Sequence, residues 1–170
     1  MRLYLRSILI IFCGLYVSLI IAQESKIIEI RQAGGSTQDQ ERFPGANILF
    51  KSPGKRVILF HEGALIESNQ AYFYAKDNYF RALGSVIFTQ GDSLKMTCNT
   101  IEYDGETKTA IAIGNVDLQR PDMNLKTERL DLDRINETAF YNSEGIVVDS
   151  ESTLTSNQGM YYMDQKKYRF

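Results

Sequence analysis

Three kinds of side chain in this sequence could do covalent or acid–base chemistry: the single histidine, His61; the two cysteines, Cys13 and Cys98; and carboxylates such as Asp104, Asp133 and Asp164. Acid–base catalysis needs two titratable groups at one substrate, and a thiol nucleophile needs a base beside it. Neither arrangement is written here. His61 has no second histidine to share a metal or a proton with, and reads as a surface or strand-end residue. Cys98 continues an alternation with Leu94 and Met96 and reads as a small buried residue. The aspartates stand where apolar runs break, the usual place for a carboxylate that bonds to nearby backbone amides in a turn. Gly34-Gly35 has no helical pattern behind it, so it is no phosphate loop, and Asn136-Glu137-Thr138 is a three-residue glycan triplet of little weight. The chain reads as no enzyme, with no metal and no cofactor.

What the pattern does support is contact with apolar molecules. The elements that place those side chains are repeated. Gly84-Ser85-Val86-Ile87-Phe88, Leu94-Lys95-Met96-Thr97 and Ile101-Glu102-Tyr103-Asp104 return as Gly114-Asn115-Val116-Asp117-Leu118, Met123-Asn124-Leu125-Lys126 and Leu130-Asp131-Leu132-Asp133, a spacing of 29 or 30 residues. A fixed period of this length marks stacked units, and runs of three to five residues alternating apolar with polar mark strands with one buried face. In the first unit Val86, Phe88, Leu94, Met96, Ile101, Tyr103, Ile111 and Ile113 are expected on one face. In the second, Val116, Leu118, Met123, Leu125, Leu130 and Leu132 are expected inward. A degenerate earlier copy runs from Arg56 through Ala71–Tyr74 to Leu83. A later one runs from Glu144 to Asp164, ending in an unfinished return strand at Lys166–Phe170. Such units bury a continuous apolar strip between two sheets. A tight closure makes that strip a core; a splayed one makes it a trough for acyl chains, and both fit the pattern.

Composition narrows the partners. In 170 residues, 44% are hydrophobic, 24% are charged and the formal charge is −2, so no basic field exists for nucleic acid. Residues 1–22 read as an export signal, with Arg2 and Arg6 before an apolar run and Gln23 after Ala22. An uncleaved anchor is the alternative. Removing the leader removes Cys13 and leaves Cys98 without a disulfide partner. Residues 23–45 are expected to supply an opening strand, with Ile28 and Ile30 on one face, and then a mobile loop from Ala33 to Gly45. Residues 46–170 are expected to form the domain, incomplete or open at its carboxy-terminal edge.

The ordered series Phe60-His61, Ala71-Tyr72-Phe73-Tyr74, Ala82-Leu83-Gly84-Ser85-Val86, Gln90-Gly91-Asp92-Ser93-Leu94, Ile101-Glu102-Tyr103-Asp104-Gly105, Gly114-Asn115-Val116 and Leu130-Asp131-Leu132-Asp133 resembles the OstA-like domain shared by LptA, LptC and the amino-terminal part of LptD, and looks most like its Bacteroidetes branch. It departs from that branch at Asn69-Gln70, where Asp-Ser is usual, and at Ser85, where Asn is usual. The resemblance implies an all-β, elongated V-shaped β-jellyroll that binds lipopolysaccharide through its lipid A acyl chains. It also implies strand-edge pairing with other Lpt-type jellyroll domains or with itself, and work in the periplasm, associated with the outer membrane, as a bridge component in outer membrane assembly. An inner-membrane-anchored LptC-like component and a structural β-solenoid segment without ligand are the alternatives.

Overall fold

Alternation with a period of two leaves a chain no way to bury its apolar face except against another sheet face, and here the chain folds over on itself. The structure, a computed structural model, describes residues 27–170; the proposed leader lies outside the described residues. It consists of β1 (Glu29–Gln32), β2 (Gly35–Thr37), β3 (Asn47–Phe50), β4 (Val57–His61), β5 (Ala64–Ser68), β6 (Gln70–Tyr74), β7 (Tyr79–Gln90), β8 (Leu94–Asp104), β9 (Thr109–Gln119), β10 (Met123–Asp133), β11 (Thr138–Tyr141), β12 (Gly145–Asp149), β13 (Thr153–Ser156), β14 (Gly159–Tyr162) and β15 (Lys167–Arg169). One turn of 3-10 helix, Ala75–Asp77, precedes β7. All the pairings are antiparallel.

The four long strands β7–β10 carry the architecture, because each is bent once near its middle and serves two half-sheets. One arm runs β1, β4, β5, the second half of β7, the first half of β8, the second half of β9, the first half of β10, β12 and β13. The other runs β2, β3, β6, the complementary halves of β7–β10, then β11, β14 and β15. The register shifts between Leu83 and Val86, Thr97 and Thr100, and Thr127 and Arg129 mark the bend. There Gly84-Ser85 and Gly114-Asn115 each set two residues against one on the neighbouring strand, a bulge that raises the local twist and re-aims the strand.

Both crimps use left-handed backbone, with φ of 79° and 48° at Gly84-Ser85 and 81° and 49° at Gly114-Asn115. A Cβ on Gly114 would stand 2.6 Å from Asn99 Nδ2, and one on Gly84 2.8 Å from Asn69 Nδ2. The sequence period thus repeats a hinge along with a hydrophobic pattern. Gly114→Ala is expected to cost about 2 kcal/mol, from backbone strain and the asparagine clash together, read as a lower urea midpoint at unchanged slope. Stability equal to the parent would show that the crimp is not held by its backbone.

Three local expectations need correction. The segment from Ala33 to Gly45 is not all loop, since β2 pairs with β3 inside it. Ile28 is buried while Ile30 is 43% exposed, so they do not share an environment. The earlier copy that ends at Leu83 and the unit that starts at Gly84, read as separate, share one strand, the two halves of β7. Leu154, on β13, pairs with Val147 of β12 and is exposed.

Candidate functional site

The apolar row comes first. Of the fourteen side chains expected inward, twelve are buried between the arms: Val86, Phe88, Leu94, Met96, Ile101, Tyr103, Val116, Leu118, Met123, Leu125, Leu130 and Leu132. Ile111 and Ile113 are not. Ile113 is 38% exposed and Ile111 half-buried, while Ala110 and Ala112 take the inner positions of β9. Ala112 lies between Ile101 and Leu130, and Ala110 between Tyr103 and Leu132, so small residues fill what large neighbours leave. The misplacement has a physical cause. β8 and β10 insert one residue at the bend and change the facing parity, whereas β9 inserts two and keeps it, so even-numbered positions face inward along all of β9. Cys98 is buried in the same row, and burial pushes its thiol up to about 12, which makes it inert.

The bend closes one side of the sandwich; on the other, two rows of turns meet. Turns 62–63, 91–93 and 120–122 belong to one arm, and turns 75–78, 105–108, 134–137 and 163–166 to the other. Polar contacts tie them in sequence. At one end, Asn78 Oδ1 accepts from the Ile28 amide at 2.9 Å, and Asn78 Nδ2 donates to Glu106 at 3.0 Å. Next, Lys108 pairs with Glu62, and this contact holds the Glu62 carboxyl below its ordinary value. Then Arg134 spans the seam, donating to Gln90 Oε1 at 2.9 Å, the Glu62 carbonyl at 2.8 Å, the His61 carbonyl at 3.4 Å and the Tyr103 hydroxyl at 2.5 Å. At the far end Tyr161 bonds to Asp122, and Arg120 Nη1 contacts Met163 Sδ at 3.3 Å.

His61 is not a surface residue. It ends β4, as expected, but is fully buried, with Nδ1 2.8 Å from the Tyr103 hydroxyl. Burial raises the Tyr103 hydroxyl above its usual value although Arg134 works against that. That oxygen also accepts from Arg134, so the phenol links the guanidinium to the His61 ring. The cluster satisfies buried polar groups in the way a structural network must. Nothing in the sequence marked it, because its members come from four separate turns and strands. Among the described residues no group of three or more His, Cys, Asp and Glu could hold a metal.

The repeated aspartates do what their turn positions suggested. Asp104 Oδ1 accepts from the Glu106 and Thr107 amides at 2.8 and 2.9 Å, and Asp133 Oδ1 from Ile135 and Asn136, both at 2.9 Å. The Asn136 amide, ahead of the other bonds, lowers the Asp133 carboxyl from 3.8. A carboxyl depressed on folding stabilises above its unfolded value and loses that contribution as pH falls through its folded value. The window accordingly lies below 3.8. Asp133→Ala is expected to cost about 1 kcal/mol at neutral pH, with the difference from the parent shrinking as pH falls through that window. A gap that widens in acid would contradict the assignment.

A cleft of 590 Å³ lies elsewhere, lined by Asp117, Lys126, Glu128 and other mostly polar side chains on the outside of the bend. Eight of its ten lining residues are polar or charged, and the buried row is the better candidate for an acyl chain.

Fold and site together define an all-antiparallel β-jellyroll: two arms hinged along a line of bulges, an unbroken apolar row between them and a polar seam along the opposite side. This chain belongs to the OstA-like protein family, which matches residues 25–170. Among solved structures it is similar to LptH, the LptA homologous periplasmic component of the conserved lipopolysaccharide transport device from Pseudomonas aeruginosa, at 16% identity and a TM-score of 0.58, covering 62% of this chain and 80% of that one. At that identity the likeness is one of fold. No curated protein matches.

Proposed function

We propose that this protein is a lipopolysaccharide-transport jellyroll whose inner row holds lipid A acyl chains once the arms part, and that it acts in the periplasm as a bridge component delivering lipopolysaccharide to the outer membrane. It does so by binding, without catalysis. The observation that carries the reading is the continuous row from Val86 to Leu132, built from two hinged half-sheets and fastened by polar contacts on its open side. Opening the arms uncovers apolar surface that an acyl chain covers again, at about 25 cal/mol per Å² in each direction. What opening sacrifices on balance is the polar seam. Edge strands β1 and β2 at one end, and β13 and β15 at the other, offer unpaired backbone to a further jellyroll domain or a second copy. Membership of the family and the fold shared with LptH support the same reading.

One observation favours a second reading. The row is almost free of solvent, with Met96, Ile101, Leu118 and Leu125 at 0% exposure, as in a structural segment with a closed core. Photo-crosslinking residues at Met96 or Leu125, compared with Lys95 or Lys126, separate the two in cells. Transport predicts lipopolysaccharide adducts from the inner pair and none from the outer pair. Equal labelling of both faces, or none from the inner one, leaves the closed core.

A further inference from the structure

The second arm has a face that the apolar row does not use. Along β6, β7 and β8, Phe73, Phe80, Ala82, Ile101 and Tyr103 point into the sandwich, so alternation sends Tyr72, Tyr74, Tyr79, Arg81 and Glu102 to the outside. Register then sets them side by side, with Tyr74 opposite Tyr79, Tyr72 opposite Arg81 and Arg81 opposite Glu102. A cleft of 310 Å³ opens among them, and its remaining aromatic wall comes from outside the sheet. That wall is Phe43, in the connection between β2 and β3, whose ring centroid lies 4.5 Å from that of Tyr72. The connection is held by its own bonds. The Phe43 amide donates to the Asp39 carbonyl at 2.8 Å, the Ala46 amide to the Phe43 carbonyl at 3.1 Å, and the Gly45 amide to Gln40 Oε1 at 2.9 Å.

The polar groups of the cleft are only partly engaged. Arg81 Nε stands 3.6 Å from Glu102 Oε1, a pairing of charges too long for a hydrogen bond, and the Arg81 side chain is 52% exposed. Its terminal nitrogens donate to no described residue. Burial, and then the neighbouring Glu102 carboxylate, push the Tyr79 hydroxyl up to about 12, so Tyr79 stays a neutral phenol beside that carboxylate. The Tyr72 and Tyr74 hydroxyls bond to no described residue either. The cleft thus presents ring faces, two open phenols and a planar guanidinium, while its two charges cancel.

That combination selects a class of ligand. An anion would meet Glu102 and a cation would meet Arg81, so a charged ligand gains little net attraction. An acyl chain would cover the phenols and the guanidinium without bonding to them. A polyproline segment lies in an extended aromatic-lined groove. Here the two ring pairs are tilted by 43° and 48° around a short cleft, at the lower end of the roughly 300–1,000 Å³ range of small-ligand sites. A saccharide has both surfaces that the cleft can use: C–H faces to lie on aromatic rings, and hydroxyl edges that donate and accept in fixed directions. We propose that this outer cleft binds a neutral glycan chain, with Tyr72 and Phe43 as stacking walls, Arg81 as the donor fork and the Tyr72 and Tyr74 hydroxyls at the rim. The glycan belongs to a molecule other than any lipid in the row, because the sheet of the second arm stands between the two. The inference does not depend on the lipid reading.

The test titrates the full chain, with no lipid present, with cellotetraose and with chitotetraose, its N-acetylated amino counterpart, following heat and amide chemical shifts. Saturable binding of at least one is expected, unchanged by added salt because the ligand is neutral, with shifts at Phe43, Tyr72 and Arg81. Tyr72→Ala and Phe43→Ala should each weaken it about tenfold, the scale of one lost ring contact. Phe43 lies outside the sheet, so its variant keeps the proposal testable if Tyr72→Ala does not fold. Tyr162→Ala, at an outward tyrosine of the same arm that does not line the cleft, should leave binding unchanged. Binding of neither sugar overturns the site, as does binding that ignores both cleft substitutions or a loss that Tyr162→Ala matches. A polyproline peptide that binds with the same sensitivity while the sugars do not makes the cleft a peptide groove and overturns the glycan assignment. Because no lipid enters the assay, none of these outcomes touches the transport reading, which the crosslinks decide.

Discussion

Glu62→Cys and Lys108→Cys, joined by a short bismaleimide, are expected to lower lipid uptake by about 100-fold, and the unbridged double variant is not. The size follows from what the bridge forbids. The inner row is buried when the arms are closed, so binding draws on the open population, and suppressing that population lowers apparent affinity in proportion. Glu62 and Lys108 suit the bridge because they already meet across the seam from turns on opposite arms, and their loss removes one partly exposed ion pair, worth about 1 kcal/mol or less. Cys98 does not interfere: it is buried, and its raised thiol is protonated at labelling pH. Unchanged uptake by the bridged protein would mean that lipid enters from the ends of the sandwich or that the row is a core.

The second large effect is at Arg134. Arg134→Ala removes donors to Gln90, Tyr103 and two backbone carbonyls in one step and leaves the buried Tyr103–His61 pair without its cation. The expected cost is about 3 kcal/mol, as for other broken polar networks of partly buried groups. Arg134→Lys should recover little of it, because a single ammonium cannot span carbonyl, amide and phenol together. The direction of the lipid effect separates a fastening from ordinary core packing. Arg134→Ala should speed lipid uptake while lowering the urea midpoint, whereas Leu125→Ala should lower both. An Arg134→Ala protein that is destabilised and also slower to load would make the seam simple structure.

Much of this molecule was legible in its residues. The alternation of β8 and β10 placed Leu94, Met96, Ile101, Tyr103, Met123, Leu125, Leu130 and Leu132 correctly, because a strand half buried in a sandwich has one way to face its side chains. The turn aspartates were equally local, since a carboxylate bonding to amides two and three residues ahead needs nothing from elsewhere. Parity across the bend was not local. Whether a bulge inserts one residue or two depends on the partner strand, and so Ile111 and Ile113 were assigned to the wrong face while Ala110 and Ala112 were overlooked.

By itself, then, the order of residues determined the period, the recurring glycines and most of the apolar row, all consequences of spacing along one chain. The tertiary structure alone decided that the arms lie closed, that His61 is buried against Tyr103, and that Arg134 and Arg120 stand along the seam. Those features join turns up to 73 positions apart, where no periodicity carries a signal and contact depends on how two folded arms meet.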